Sequence, residues 1–554
     1  MKRKRYILFF ILSLTMAGWM SAQTATKKPA IGLDRPKLVV GIIIDQMRWD
    51  YLYRYYDKYG QGGFKRLLNE GFSCENTFLN YIPSITGVGH ASIFTGSVPS
   101  IHGIAGNSWI DPVTGKSVYC TDDPTVDAVG VASSPKGKMS PRNLLATTIT
   151  DELRMATNFQ SKVVGVSLKD RASILPAGHN PTAAFWFDEA SERFITSSYY
   201  LPQLPEWVRT FNDDKPVAQL IAGGWNTLLP IAQYTESTPD DSPWEGLLAG
   251  AVKPVFPYDL KKAFALDRTS FEQTPFGNTL TLQFARAAID GYRLGQERTT
   301  DFLTINCAST DYAAHLYGPN SIELEDIYLR LDRDLTSFFG YLDTKVGKGN
   351  YLVFLTADHA GANSEGYLAA HKMPTGLLDE GIASNLKKCV KETFGSDRLI
   401  ARVNTFQVSF NNRLVDSLQI DREKLKAFVV NFLKRQQGIL YAADQEKLAI
   451  SSIPEPIKTM AINGYNPQRS GAVLFIPQAG WTPSFYAKGA NHSLWNPYDT
   501  HIPLLFMGWK IRHGAISRRV QITDIAATVA ALLHIQMPSG CIGSPVTEIT
   551  DSGK

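Results

Sequence analysis

The sequence predicts an α/β fold: a largely parallel central sheet flanked by helices, with inserted cap elements. Three observations carry this. Apolar runs of strand length recur at Leu38–Ile44, Val163–Leu168, Phe302–Ile305, Tyr351–Leu355, Val473–Ile476 and Pro503–Met507. Most are unbroken rather than alternating, as strands buried on both faces require. Helical patterns lie between them. In 321–343, Leu324, Ile327, Leu331, Leu335, Phe338 and Leu342 recur every three or four positions, behind Ser321 as N-cap. Residues 142–157, 279–294, 423–435 and 521–534 read similarly. Finally, several runs end directly in charged or metal-ligating side chains, and open α/β sheets bind ligands beyond the carboxyl ends of their strands.

Composition narrows the class. With 44% of 554 residues hydrophobic and 19% charged, the chain can bury a large core, which excludes disorder, collagen and coiled coil. The formal charge of +4 is carried by the extreme N-terminus, where Lys2, Arg3, Lys4 and Arg5 precede an apolar run from Tyr6 to Trp19 and the small residues Ser21-Ala22. That pattern predicts a cleaved secretory signal peptide over 1–22. At 1.5 Å per residue the run is about 21 Å long, too short to span a bilayer core of roughly 30 Å. Without those four cations, 52 basic residues face 52 acidic ones, so global charge gives no support for nucleic-acid binding.

Residues 23–36 read as a linker and 37–554 as one large domain. Insertions are expected at about 178–275, rich in Pro, Trp, Phe and Tyr, and at 362–470. No cysteine follows the apolar leader, so no lipid anchor is expected. The five cysteines, Cys74, Cys120, Cys307, Cys389 and Cys541, lack zinc-ribbon spacing, and in an oxidising compartment up to two disulfides are open to them.

The chemistry follows the strands. Asp45 comes after Leu38–Ile44, Asp358 and His359 after Tyr351–Leu355, Asp311 and His315 shortly after Phe302–Ile305, and Lys169 and Arg171 after Val163–Leu168. Asp311 and His315 are four apart, so one helical turn puts both on one face, as a metal clamp needs. Singly, each of these acids reads equally well as a cap or turn residue; their joint arrival at one sheet edge argues for a site. Mixed Asp/His ligands suit zinc better than manganese or magnesium. A third histidine would complete the Asp311/His315 set, and spacing leaves His371, His492 and His501 open. Thr86, in Tyr81–Ala91, is the candidate nucleophile: a hydroxyl at a helix N-terminus meets free N–H groups and a positive dipole end. Its bland reading is an N-cap, and His90 one turn on reads as packed. Lys169 and Arg171, alternating at an extended strand end, would face a phosphate dianion together. Asn107 is by itself an unremarkable turn residue.

Together these pieces resemble the alkaline phosphatase superfamily of two-metal phosphohydrolases, over roughly residues 37–535. The resemblance rests on strand-then-Asp45, SITGVGHASIFTG (84–96), SVPSIHGIAGNSW (97–109), DYAAHLYGP (311–319), TADHA (356–360), GANHSLWNP (489–497) and ITDIAATVAALL (522–533). SLKDR with a threonine nucleophile is similar to the periplasmic, phosphate-irrepressible bacterial branch. The resemblance implies two Zn²⁺, one held by Asp311, His315 and His492 and the other by Asp45, Asp358 and His359 with Thr86. Asn107, Lys169 and Arg171 would hold the phosphoryl oxygens. Ala360 stands where many members have glycine, implying a modest loop difference. The Cys/Ser-x-Pro-x-Arg signature of sulfatases is absent around Thr86, and no third structural metal is expected.

The implied activity is hydrolysis of small phosphate monoesters through a phosphothreonine on Thr86, by an exported, periplasmic monomer without a membrane anchor. Two alternatives stand beside it. A phosphodiesterase or nucleotide pyrophosphatase would share the metal site but have less use for a Lys/Arg pair. A noncatalytic, metal-stabilised binding protein would be expected to have lost a ligand or the nucleophile.

Overall fold

The computed structural model describes residues 33–551, so the expected signal peptide at 1–22 and most of the linker lie outside the described residues. The principal sheet has ten strands: β1 Leu38–Ile44, β2 Phe72–Cys74, β3 Ala128–Val129, β4 Val163–Ser167, β5 Ala183–Asp188, β6 Arg193–Ser197, β7 Asp301–Cys307, β8 Tyr351–Thr356, and, after an interval, Leu504–Gly508 and Gly514–Ile516. Within that interval lies a second sheet of β9 Ile400–Asn404, β10 Gln407–Phe410, β11 Ile439–Asp444 and β12 Val473–Pro477. The last two strands of the principal sheet are therefore β13 and β14. Its order is β14-β2-β13-β8-β1-β7-β4-β5-β6-β3.

The middle of this sheet, β8-β1-β7-β4-β5, is parallel throughout, and β13 and β6 join it antiparallel on either side. Every residue of β1, β4, β7 and β8 is buried, which is why their sequences are mostly apolar, with Thr304 and Asn306 of β7 among the buried polar exceptions. Register aligns the carboxyl ends: Ile44 lies opposite Cys307, Ile43 opposite Thr356, and Asn306 opposite Ser167. Four neighbouring strands thus release their next residues at one edge.

Helices cover the sheet: α1 Thr86–Thr95, α2 Ile149–Ala156, α3 Asp170–Ala177, α4 Pro275–Tyr292, α5 Ser309–Tyr317 and α6 Ile322–Leu342, with α9 Asp524–Leu533 following two helices of the second sheet, α7 Ile382–Phe394 and α8 Arg422–Lys434. The expected α6 forms with its whole apolar stripe buried, and the Ser321 hydroxyl accepts from the Leu324 N–H at 3.2 Å. Over 142–157 only 149–156 is helical. Thr148 and Asp151 form a reciprocal capping box that fixes the later start.

Two differences from the sequence reading have physical reasons. Val473–Ile476 is a strand, but of the second sheet. Val473 and Phe475 pack into a core with Leu386, Val390, Leu425 and Val429 of α7 and α8, whereas Leu474 and Ile476 pack into another with Ile453, Ile457 and Met460. An unbroken apolar run reports burial on two faces, not which sheet supplies them. The stretch 178–275 contributes β5 and β6 to the principal sheet before running into irregular chain and short helices. The five cysteines are free thiols, and no disulfide joins them.

Candidate active site

The edge where β1, β7, β8 and β4 end holds two groups of metal-capable side chains. Asp45, Asp358 and His359 form one; Asp311, His315 and His492 form the other. Within each, one ligand atom per residue lies within 4.8 Å of the others. All six side chains are buried except His315, which is partly exposed. Of the three histidines spacing left open, only His492 comes here. His371 is exposed and bonded to the Tyr367 carbonyl, while His501 is sandwiched between the Trp49 and Phe78 rings.

The imidazoles are oriented by the backbone. Nδ1 of His315 donates to Ala490 O at 2.8 Å, Nδ1 of His492 to Ser84 O at 2.7 Å, and Nδ1 of His359 to Ala360 O at 3.0 Å. Each bond fixes the proton on Nδ1 and turns an Nε2 lone pair inward, the orientation metal-binding histidines take. His359 Nε2 sits 3.4 Å from Asp358 Oδ2 and 3.7 Å from Asp45 Oδ1. All three atoms are buried without a hydrogen-bond partner. Orphaned acceptors converging on one point cost several kcal/mol unless a cation meets them. In the other group, His492 Nε2 is 3.2 Å from His315 Nε2, and both approach Asp311 Oδ1, at 3.8 and 3.3 Å.

Charge points the same way. Three buried carboxylates face one buried ammonium, Lys169, whose Nζ contacts Asp45 Oδ2 at 2.9 Å and Asp311 Oδ2 at 2.5 Å. Burial and the neighbouring Asp358 push Asp45 up to about 6, outweighing Lys169. Burial would raise Asp311 too, but Lys169 and His315 hold it well below the usual carboxylate range. Burial, then His359 and His315, drive His492 well below the usual imidazole range, keeping it neutral and available as a donor. The donor set, its surplus negative charge and its orphaned atoms fit two divalent cations.

Thr86 opens α1, and residues on either side of it touch both groups. Ser84 O, two residues earlier, orients His492, and His90 Nδ1, one turn later, lies 3.4 Å from Asp358 Oδ2 while bonding Thr86 O at 2.9 Å. The glycines around it are there for close approach: a Cβ on Gly89 would stand 2.3 Å from Asp358 O, and one on Gly87 2.9 Å from Asn107 Oδ1. Asn107 Oδ1 accepts the Gly87 N–H at 2.8 Å, which ties its loop to the start of α1.

The sequence reading placed Lys169 and Arg171 on an extended strand end. β4 stops at Ser167 and α3 begins at Asp170, so Lys169 is an N-cap and Arg171 lies in the first helical turn. Lys169 points inward to the carboxylates, whereas Arg171 Nη1 donates to the Tyr119 hydroxyl at 3.0 Å. Gln46 is a member the sequence did not reveal. Its Nε2 donates to Asp311 Oδ1 at 2.7 Å and its N–H to Asp358 Oδ1 at 3.3 Å, bridging the two groups from a left-handed φ of 60°. Only its position beside Asp45 could have signalled it. His90, read as packed, also touches the site.

A third acidic group, Glu423 on α8, Asp444 at the end of β11 and Glu446 in the turn after it, is largely exposed and paired with Lys426 and Lys447.

Comparison with known proteins places the chain in a family. Residues 39–501 match the family described as Type I phosphodiesterase / nucleotide pyrophosphatase. The chain is 56% identical over 537 residues to alkaline phosphatase PafA of Elizabethkingia meningoseptica, covering 97% of each chain. It is 50% identical over 515 residues to alkaline phosphatase PhoV of Synechococcus elongatus, covering 93% of each. The crystal structure of wild-type PafA superposes with a TM-score of 0.92 at 57% identity, over 94% of this chain and 99% of that one. The chain belongs to the type I phosphodiesterase/nucleotide pyrophosphatase family of the alkaline phosphatase superfamily, and within it to the PafA-type alkaline phosphatases.

Proposed function

We propose that this phosphatase hydrolyses phosphate monoesters at two Zn²⁺ ions by way of a phosphothreonine on Thr86. The observation that carries the reading is the inward Nε2 of three histidines, each locked by a backbone carbonyl, around three buried carboxylates that share one ammonium and leave Asp45 Oδ1 and Asp358 Oδ2 without a hydrogen-bond partner. Asp45, Asp358 and His359 would hold one zinc beside Thr86, and Asp311, His315 and His492 the other. When bound, the pair would act as Lewis acids on the entering and leaving oxygens and favour the deprotonated threonine.

The chain's own residues do the rest. Thr86 Oγ attacks phosphorus in line; the ester oxygen leaves on the far side with its electron pair, and water later displaces Thr86 from phosphorus. The α1 N-terminus faces the transferring group with its dipole and N–H groups. Asn107, Lys169 and Arg171 hold the nonbridging oxygens, so that two cations meet a dianion. A diester, with one charge fewer, gains less from that pair, which favours the monoester reading. We read residues 1–22 as a cleaved signal and the enzyme as a periplasmic monomer whose catalytic domain spans 37–554.

Replacing Thr86 with alanine should lower turnover of p-nitrophenyl phosphate by at least about 10³-fold, with zinc content by elemental analysis unchanged. Acid quench of the wild type followed by mass spectrometry should find a phosphoryl group on Thr86. Retained activity in the variant would overturn the nucleophile assignment.

A further inference from the structure

A cavity of about 500 Å³ opens beside the candidate site, between the second sheet and the segment 483–493. Its wall touches the Asp311/His315/His492 group through Tyr486. Asn491 and Ser493 flank His492, and the Tyr486 ring lies over His315 with centroids 5.9 Å apart. In-line attack by Thr86 expels the ester oxygen toward this group, so the rest of the alcohol would emerge against the cavity.

Three features of the cavity bear on what it could hold. Phe485 stands on its rim 75% exposed, beside Tyr486 at a centroid distance of 4.6 Å. Thr405 and Phe406 form the two-residue turn between β9 and β10 with φ of 49° and 58°, a conformation usually left to Asn and Gly. Both residues line the cavity, and Phe406, edge-on to Phe475, also packs into the core of the second sheet. Asp379 and Glu380 add carboxylates. Asp379 Oδ1 accepts the Gly381 N–H and Glu380 Oε1 the Ser484 hydroxyl, each at 2.8 Å, and among the described residues neither forms an ion pair with lysine or arginine.

We propose that this cavity is the leaving-group subsite, taking the alcohol portion of monoesters whose alcohol carries an aromatic ring, uncharged or cationic. The proposal rests on the reading of Thr86 as nucleophile opposite His315 and His492. Phe406, Phe475, Phe485 and Tyr486 supply ring faces and edges, which favour an aromatic guest over an aliphatic chain. Asp379 and Glu380 attract a positive substituent on that ring and repel a second anionic group.

The test compares kcat/KM of the zinc-loaded protein on n-propyl phosphate, phenethyl phosphate, and phenethyl phosphates bearing a para-ammoniomethyl or a para-carboxylate group. All are esters of primary alcohols of similar leaving ability, so differences report the subsite. Phenethyl phosphate should exceed n-propyl phosphate by about tenfold or more, the value of burying one ring. The ammonium ester should exceed the carboxylate ester. Phe485→Ala, at an exposed position that folding does not need, should cost phenethyl phosphate about fivefold and n-propyl phosphate far less. Asp379→Asn with Glu380→Gln should erase the charge preference and keep the ring preference. Equal rates for the propyl and phenethyl esters in the wild type, or equal losses for both in Phe485→Ala, would overturn the subsite. No turnover of any ester, n-propyl phosphate included, would instead overturn the catalytic reading beneath it.

Discussion

Two carboxylate clusters in this molecule invite comparison. Asp45, Asp358 and His359 converge at the carboxyl edge of the principal sheet; Glu423, Asp444 and Glu446 converge on the second sheet. Both gather ligand atoms within 4.8 Å. They differ in what surrounds them. The first is fully buried and retains Asp45 Oδ1, Asp358 Oδ2 and His359 Nε2 without partners. The second is mostly open to water, and Lys426 and Lys447 already answer its charge. Proximity of acids alone therefore does not mark a candidate cation site; burial with orphaned ligand atoms, left over even after Lys169 pairs with Asp45, does.

The comparison can be broken in order of expected effect. Stripping metal with a chelator should abolish phosphatase turnover, whereas Glu423→Ala with Glu446→Ala should leave kcat/KM and zinc content unchanged; a loss in the double variant would erase the distinction. Gly89→Ala should come next. Its new Cβ would meet the Asp358 backbone, shifting a candidate ligand and costing about 1–3 kcal/mol of stability, to be read from denaturant midpoints. Gln46→Ala removes the Nε2 donor to Asp311 Oδ1, while its backbone N–H stays on Asp358, and should weaken zinc binding by about 10–100-fold in a competition titration.

A buried acid pair with no histidine beside it sharpens the contrast further. Burial, and then Glu323, raise Glu245 to about 10, and burial raises Glu323 to about 8. Raised folded-state values mean the native state holds protons that the unfolded chain releases near 4.5. This stability is fully present below that pH and is lost as pH rises through 8 toward 10. Glu245→Gln should flatten the fall of the unfolding free energy across that window. An unchanged slope would show that the pair is not held neutral. The smallest effect should be at Lys447→Ala, whose exposed pairs with Glu423 and Asp444 should contribute no measurable change in Tm.

How much of this was legible in the sequence depended on whether a physical period was available to read. β1 and β8 emerge within one residue of their apolar runs, and α6 emerges with its cap, because strand burial and helical spacing leave direct marks. Asp45, Asp358 and His359 were legible because they follow buried strands, and Asp311 with His315 because four residues make one turn. His492 was not separable from His371 and His501 by spacing, since loop residues carry no period; only the family resemblance selected it. The sheet to which Val473–Pro477 belongs was hidden for the same reason that made it readable as a strand: both its faces are apolar. Gln46 stayed invisible because its role depends on a left-handed backbone turn that brings together residues over 260 positions apart.

The most direct test of the two-cation account is zinc back-titration of chelator-stripped protein, following p-nitrophenyl phosphate hydrolysis and bound zinc in the same samples. The account predicts that activity is complete only at two zinc ions per chain, and that His315→Ala and His492→Ala each remove one. Full activity at one zinc or none would contradict it.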